Sequence, residues 1–182
     1  MDKKEHNPKK LEQLAQNMFN RGREDIESEI RTKLVEKINY FNRRGTLESG
    51  MFVDEAIKLH TERIEKFLTL RLSIDKEVFF DNQPIKTNED VDFIMKNLKE
   101  IAEPQKSVVF SDVESIINQR IRAGHFKNSI ERNVAIFLSK IKRDLIIEKD
   151  KQILLVKKEV EQIGPKTEEI QKHQRFKNLK IY

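Results

Sequence analysis

The chain has 182 residues, 36 of them Lys or Arg and 31 Asp or Glu, and it carries a net charge of +5. It contains no Cys, which excludes disulfides, thiolate metal sites and Cys nucleophiles. No apolar run approaches the ~18 residues of a membrane helix, and the first ten residues, MDKKEHNPKK, lack the apolar core of a signal peptide. We therefore expect a cytoplasmic protein without membrane contact.

The spacing of apolar residues predicts a first long helix over about 8–43. Asn7 is a suitable N-cap, and Pro8 at the first helical position loses no needed hydrogen bond. Gly45 is predicted to end the helix. Gly22 lies on or near the apolar stripe, where it weakens the helix by about 1 kcal/mol relative to Ala unless a neighbouring backbone packs closely.

A second helix is predicted over about 50–73, with Thr46 or Ser49 as its N-cap. The turn before it is short, so the first two helices should be antiparallel neighbours. His60 lies on the apolar stripe of the second helix, and no carboxylate stands three or four positions from it. Because the Glu-x-x-His order of helical di-metal proteins is absent, we interpret His60 as a packed histidine.

Residues 74–86 interrupt the helical pattern and predict either a small hairpin or an apolar loop at the end of the bundle, of which we favour the loop. A short helix over 88–102 follows, capped by Thr87 or Asn88, and Pro104 is predicted to stop it.

The next segment, Ser107-Val108-Val109-Phe110, is a β-prone run that predicts a short strand. Ser111-x-x-Glu114 has the form of a capping box that opens a helix, and Gly124 is predicted to close that helix at its C′ position.

A final long helix is predicted from Asn128 or Ser129 to the pair Gly164-Pro165. The turns after Gly45 and Gly124 share an apolar residue at +2, a small polar one at +4, an apolar one at +6, Ala at +11 and Ile at +12. This echo has two explanations, a duplicated helical hairpin or the common chemistry of helix–Gly–helix turns.

Together these elements predict an all-α protein, built on long antiparallel helical hairpins that form an elongated bundle, with at most one short β-strand near 107–110. We divide it into a hairpin plus short helix over 1–103, a strand, helix, Gly turn and long helix over 104–163, and a basic tail over 164–182. Residues 1–103 carry 19 basic and 21 acidic residues, whereas the remainder carries 17 and 10. The basic C-terminal half is compatible with nucleic acid or an acidic partner.

Residues 106–138 resemble the ribbon–helix–helix DNA-binding proteins, in which a short strand precedes a helix, a Gly-containing turn and a second helix. The resemblance implies that strands from two chains pair in the major groove, with side chains at base edges. It also implies that the second helix holds a phosphate at its N-terminus. The implied DNA-binding residues are Lys106, Val108, Lys127, Asn128 and Ser129.

The spacing Arg120-x4-His125 is similar to that of the all-helical HEPN ribonucleases. That resemblance implies that Arg120 and His125 act together on an RNA phosphate without a metal ion.

The sequence contains no Gly-rich phosphate loop, no recognisable pair of catalytic carboxylates and no Ser-His-Asp set. The leading hypothesis is therefore a non-enzymatic regulatory protein of bacterial type, without metal or cofactor, that binds DNA or a protein partner through its basic C-terminal half. The alternatives are a helical scaffold or interaction module without nucleic-acid contact, and a HEPN-like ribonuclease. The long apolar stripes of the first and last helices predict a homodimer or a partner helix.

Overall fold

The computed structural model describes the backbone over residues 8–47, 49–116 and 123–178, and side chains over 8–47, 49–106 and 127–158. These residues form four helices and no strand: α1 (Pro8–Arg43), α2 (Gly50–Phe80), α3 (Asn88–Ile116) and α4 (Ala123–Asn178). The all-α prediction is confirmed. No helix in this part of the chain combines the length and apolar character needed to cross a bilayer.

Helix α1 has the predicted bounds, and both signals that define the turn after it come from the sequence. Gly45 has a φ of +63°, a left-handed conformation that costs an ordinary L-residue roughly 1–2 kcal/mol. Its N–H donates to the carbonyl of Asn42 at 3.0 Å. Of the two residues predicted to cap α2, Ser49 is the N-cap, because its side chain accepts a hydrogen bond from the N–H of Phe52 at 3.4 Å.

Helix α2 is longer than predicted, because the apolar part of 74–86 is helical and not a loop. The rings of Phe79 and Phe93 pack edge to face with their centroids 4.9 Å apart, so burial against α3 favours continued helix. The helix ends only where Asp81 and Asn82 adopt positive φ values of 50° and 55°.

Helix α3 begins at the predicted Thr87 cap. The N–H of Thr87 donates to Asp90 Oδ2 at 2.9 Å, and the N–H of Asp90 donates to Thr87 Oγ1 at 3.1 Å. These reciprocal bonds form a capping box, which satisfies two of the free donors at a helix start.

The predicted strand is wrong, and so is the ribbon–helix–helix resemblance, since a β-ribbon needs that strand. Residues 107–110 are helical, and the predicted capping box that opens at Ser111 lies inside α3. A helix satisfies its backbone groups internally, whereas a lone strand would leave them unpaired, and strand propensity differs among residues by only ~1 kcal/mol. Pro104 also lies inside α3. It removes a hydrogen bond to the carbonyl of Glu100, and both residues are exposed to water.

Helix α4 contains both glycines that were expected to mark its limits. Gly124 lies in its first turn, and the helix continues through Gly164 and Pro165 to Asn178. Gly124 is therefore not the C′ residue of a preceding helix, and residues 117–122 lie outside the described part of the chain. Gly45 and Gly124 occupy different places, one in a turn and one in a helix, so the echo between them does not extend to structure.

Helix α2 is the centre of the packing, because it contacts each of the other three described helices. Lys37–Glu55 and Lys33–Glu62 ion pairs, at 2.9 and 2.7 Å, show that α1 runs antiparallel to it. Helix α4 runs parallel to α2, since two polar contacts between them, Asn133 to Thr61 and Glu148 to Lys76, both link residues 72 positions apart.

Two apolar clusters hold these helices together. The smaller one joins α1 to α2 around Ala15, Phe19, Phe67 and Ile74. The larger one lies between α2, α3 and α4, and its fully buried members include Ile64, Leu68, Ile85, Ile94, Leu98 and Ile130. Helix α1 thus covers one side of α2, while α3 and α4 cover the other.

Candidate interaction surface on helix α4

The first part of α4 packs against the body of the molecule along one face. Its buried residues, Ile130, Val134, Ile141 and Leu145, are four or seven positions apart and so lie on one side of the helix. Polar contacts to the α2–α3 turn complete this packing. Glu148 lies 2.6 Å from Lys76 Nζ and accepts the N–H of Ile85 at 3.3 Å, and Lys149 Nζ donates to Asn88 Oδ1 at 2.7 Å.

The opposite face of α4 presents a continuous row of exposed side chains, which we call the outward stripe. Its members succeed one another every three or four residues, the spacing that keeps side chains on one face of a helix. The outward stripe consists of Arg132, Ile136, Lys140, Arg143, Ile147, Lys151, Leu154 and Lys158. At ~1.5 Å per residue, it is about 40 Å long.

Positive charge dominates the outward stripe, because five of its eight residues are Lys or Arg. Over residues 127–158, α4 carries nine basic and four acidic residues. The acidic side chains do not form close pairs with the stripe, since Asp144 lies 3.9 Å from Arg143, and Asp150 is 3.4 Å from Lys149. A surface of one sign attracts a partner of the other sign from a distance.

Large aliphatic side chains separate the basic ones. Ile136 and Leu154 are each 59% exposed, and Ile147 is 44% exposed. Ala135 and Ser139 beside Ile136 are small, and they leave an open depression lined also by Arg132 and Arg143. Because these aliphatic residues share one face with the basic ones, we take this face as the candidate contact surface.

The structure places the residues of the ribbon hypothesis on two neighbouring helices, α3 and α4. Lys106 lies on α3, where its ammonium is 2.7 Å from the Glu103 carboxylate. Lys127 and Asn128 are exposed in the first turns of α4, and Ser129 is half-buried. Because α3 and α4 are antiparallel, the Lys106 region lies alongside the start of α4. The side chain of Val108 is outside the described side chains.

Arg120 and the side chain of His125 also lie outside the described part of the structure, so the ribonuclease hypothesis remains a prediction. Within that part, no group of three or more His, Asp or Glu side chains could hold a metal ion. His60 is buried, as predicted.

A buried ion pair on α2 is the polar feature that sequence reasoning missed. Arg71 Nε lies 2.8 Å from Asp75 Oδ1, and Asn97 Nδ2 donates to Asp75 Oδ2 at 3.1 Å. Burial raises the pKa of Asp75 above its usual value of 3.8, although Arg71 and Asn97 act to lower it. The signal in the sequence was an Arg and an Asp four positions apart on an apolar helix. The pair is enclosed between α2 and α3, so we assign it to structure and not to a site.

No family model matches this chain, and no curated protein or solved structure is significantly similar to it. The function must therefore be inferred from the geometry of the chain itself.

Proposed function

We propose that the protein is a non-enzymatic interaction module, and that it binds an acidic amphipathic helix of a partner protein through the outward stripe of α4. The observation that carries this proposal is the alternation of exposed basic and exposed aliphatic residues along one face of a single long helix.

The basic residues define the charge of the partner. A partner helix with Glu or Asp beside its apolar positions would place carboxylates against Arg132, Lys140 and Arg143. Complementary charges of this kind accelerate association and select against wrong partners more than they add affinity. Binding should therefore weaken as salt is added, because exposed charge pairs are screened.

The aliphatic residues of the outward stripe define the shape of the partner. Helices recognise one another through apolar anchors at i, i+3, i+4 and i+7. Leu154 follows Ile147 by seven positions, which is about 10 Å along the axis, and Ile136 precedes Ile147 by about 16 Å. A partner helix of roughly 20 residues, about 30 Å long, would contact all three anchors.

Nucleic acid and membrane surfaces fit the outward stripe less well. Phosphate contacts use charged and polar side chains, and Ile136, Ile147 and Leu154 would have no role against a DNA or RNA backbone. A helix that lies on a membrane separates its charged and apolar faces, whereas here the two kinds of residue alternate within one stripe.

A synthetic peptide provides the test. The probe is a labelled helical peptide of about 21 residues with Leu at heptad anchor positions and Glu beside them, and fluorescence anisotropy measures its binding to the full chain. We expect a dissociation constant on the order of 1–100 μM, as for a small transient interface. A peptide with Lys in place of Glu, and one with Ala in place of Leu, should bind at least about tenfold more weakly.

Variants of the protein separate the outward stripe from the general charge of the surface. Arg143→Glu and Leu154→Glu should each weaken binding by about tenfold or more. Lys142→Glu makes the same charge reversal on an exposed residue of α4 outside the stripe, and it should have an effect below about threefold, through net charge alone. Equal losses for Arg143→Glu and Lys142→Glu would contradict the proposal. So would a preference for duplex DNA or anionic vesicles over the acidic peptide that survives Leu154→Glu.

A further inference from the structure

A second apolar face of α4 becomes uncovered where the helix leaves the body. Beyond Lys149, the described side chains of α4 as far as Lys158 are exposed or half-buried, and none is buried. In the sequence, apolar residues nevertheless continue on the face that is buried earlier in the helix: Val156, Ile163 and Ile170 follow Leu145 by 11, 18 and 25 positions, each close to a whole number of turns at ~3.6 residues per turn.

We call this continuation the distal seam. It consists of Ile153, Val156, Val160, Ile163 and Ile170, spaced by 3, 4, 3 and 7 positions. Alternating steps of three and four residues are the pattern by which two helices pair along a common axis. Ile153 and Val156, the two members with described side chains, are 41% and 57% exposed. No other helix of the described chain covers them.

We propose that a second copy of this chain covers the distal seam, with the two α4 helices antiparallel. The helix from residue 150 to 178 contains 29 residues and is about 43 Å long. In a helix pair only one face of each helix makes contact, so about half of these residues, roughly 15 from each partner, would form the interface, which is the size of a transient contact. The distal seam is also continuous with the face of α4 that already packs on α2 and α3.

Charge favours a second copy over another occupant, and it favours the antiparallel arrangement. Where α4 leaves the body, the ends of α2 and α3 expose Glu77, Asp81, Glu89 and Asp92, none of which forms an ion pair with another described residue. The last eight residues of α4, 171–178, include three Lys or Arg and no Asp or Glu.

An antiparallel overlap of 150–178 with itself brings these opposite charges together, because residue 178 of one copy lies beside residue 150 of the other. The basic end of each α4 then lies next to the acidic end of the partner's body. A parallel overlap would place like charges side by side at both ends, which is unfavourable.

The distal seam and the outward stripe are separate surfaces, so this inference does not rest on the proposed function. Leu154 follows Leu145 by nine positions, two and a half turns at ~3.6 residues per turn, and so lies on the opposite side of the helix. Substitutions can remove one surface and leave the other intact.

Sedimentation equilibrium of the full chain tests self-association. At a chain concentration of about 50 μM, the dimer should predominate if its dissociation constant lies below this concentration, as it does for many transient dimers. Val156→Glu buries a charge in the distal seam and should weaken the dimer by about a hundredfold, whereas Leu154→Glu, on the outward stripe, should leave it unchanged. Because both residues are exposed in the single chain, neither variant should disturb folding, and circular dichroism checks this. A monomeric unaltered chain, or equal effects of the two variants, would overturn the proposal.

Disulfide trapping tests the antiparallel arrangement, and the absence of Cys from the chain makes it direct. In the antiparallel dimer only residues near position 164 lie close to their own counterparts, so Ile163→Cys should form a covalent dimer on oxidation. Val156→Cys alone should not, since a disulfide needs Cβ atoms about 3.5–4.5 Å apart. A mixture of Val156→Cys and Ile170→Cys chains should form the mixed dimer, because both residues belong to the distal seam and lie seven positions on either side of Ile163. Efficient trapping of Val156→Cys with itself would show a parallel pair and reject the antiparallel one.

Charge reversal tests the contact between the basic and acidic ends. The double variant Glu77→Lys/Glu89→Lys should weaken the dimer by about tenfold. Adding Lys172→Glu and Lys177→Glu to the same chain should restore most of the loss, because the pairs are then reversed and not removed. Weakening without recovery would contradict the charge complementarity on which the arrangement is based.

Discussion

Helix α2 and distal α4, by which we mean residues 150–178, are both long amphipathic segments. Their surroundings differ. Helix α2 has α1 on one side and α3 and α4 on the other, and Leu68 at its centre is fully buried. Leu154 in distal α4 is 59% exposed. The comparison shows that burial in this molecule depends on whether another helix runs alongside. The exposed residues Ile153, Leu154 and Val156 of distal α4 are therefore available for contacts outside the single chain.

The two regions also treat charge differently. The carboxylate of Asp75 on α2 is buried, and contacts with Arg71 and Asn97 compensate its negative charge. Distal α4 keeps Lys151, Lys157 and Lys158 in water, where a charge costs little. This contrast between an enclosed and an open helix should be visible as differences in stability between matched variants.

The largest effect is expected from breaking the enclosed ion pair. Asp75→Ala should lower the free energy of unfolding by roughly 3–5 kcal/mol, because it leaves Arg71 buried without its partner. Asp150→Ala, the same change on exposed distal α4, should cost no more than about 0.5 kcal/mol. Urea unfolding followed by circular dichroism measures both. The combination Arg71→Met/Asp75→Leu should recover much of the loss, and similar costs for Asp75→Ala and Asp150→Ala would refute the assignment.

A smaller but cleaner contrast lies within α4 itself. Leu145→Ala creates a cavity between α4 and the body and should cost about 2–5 kcal/mol. Leu154→Ala removes the same atoms from an exposed position, where the expected change is within about 0.5 kcal/mol. If the two substitutions had equal effects on the urea midpoint, α4 could not leave the body where the structure shows it leaving.

The smallest effect concerns the ion pairs on the exposed side of the α1–α2 contact. Hydrogen bonds from Lys33 and Lys66 lower the pKa of Glu29 from 4.5 to about 2, and a hydrogen bond from Lys33 is the main cause of the lowered pKa of Glu62. A carboxyl group with a lowered pKa in the folded state stabilises the fold above its unfolded pKa, and this stabilisation is lost as it becomes protonated. Stability should therefore fall as the pH is lowered from about 4.5 towards 2.

The variant Glu29→Gln isolates this contribution. Its melting temperature should lie slightly below that of the unaltered chain at pH 6, and the difference should disappear near pH 2. Glu24→Gln, an exposed change on the same helix, serves as the control. The pH dependence from Asp75 has the opposite sign, because burial raises its pKa: protonation of Asp75 favours the folded state at low pH, and this pH-dependent part is lost as the pH rises above 3.8 through the folded-state pKa. The contacts of Asp75 with Arg71 and Asn97 are a separate contribution. A constant difference for Glu29→Gln from pH 6 to 2 would contradict the ion-pair account.

The sequence was sufficient where local chemistry decides the structure. Pro8, Gly45, Ser49 and Thr87 each act within a few residues, and the helix limits they predicted agree with the structure. It was insufficient where packing overrides local preference. The run 107–110 is β-prone but helical, and Pro104 does not stop α3.

The candidate surface was only partly visible in the sequence. Charge alone identified a basic C-terminal half, but the ribbon hypothesis assigned the contact to Lys106 and the start of α4. The outward stripe could be identified only once the structure showed which face of α4 the body covers. Its signal in the sequence was the position of Ile136, Ile147 and Leu154, which are out of phase with the buried set and so cannot belong to the core.

The most direct test of the account places a reporter on the outward stripe. A polarity-sensitive fluorophore is attached to Ile147→Cys in one protein and to Lys142→Cys in another, since the natural chain has no Cys that would compete. On addition of the acidic amphipathic peptide, we expect a blue shift and increased intensity at position 147, with little change at 142. Equal responses at both positions, or a response at 142 alone, would contradict the claim that the outward stripe of α4 is the binding surface.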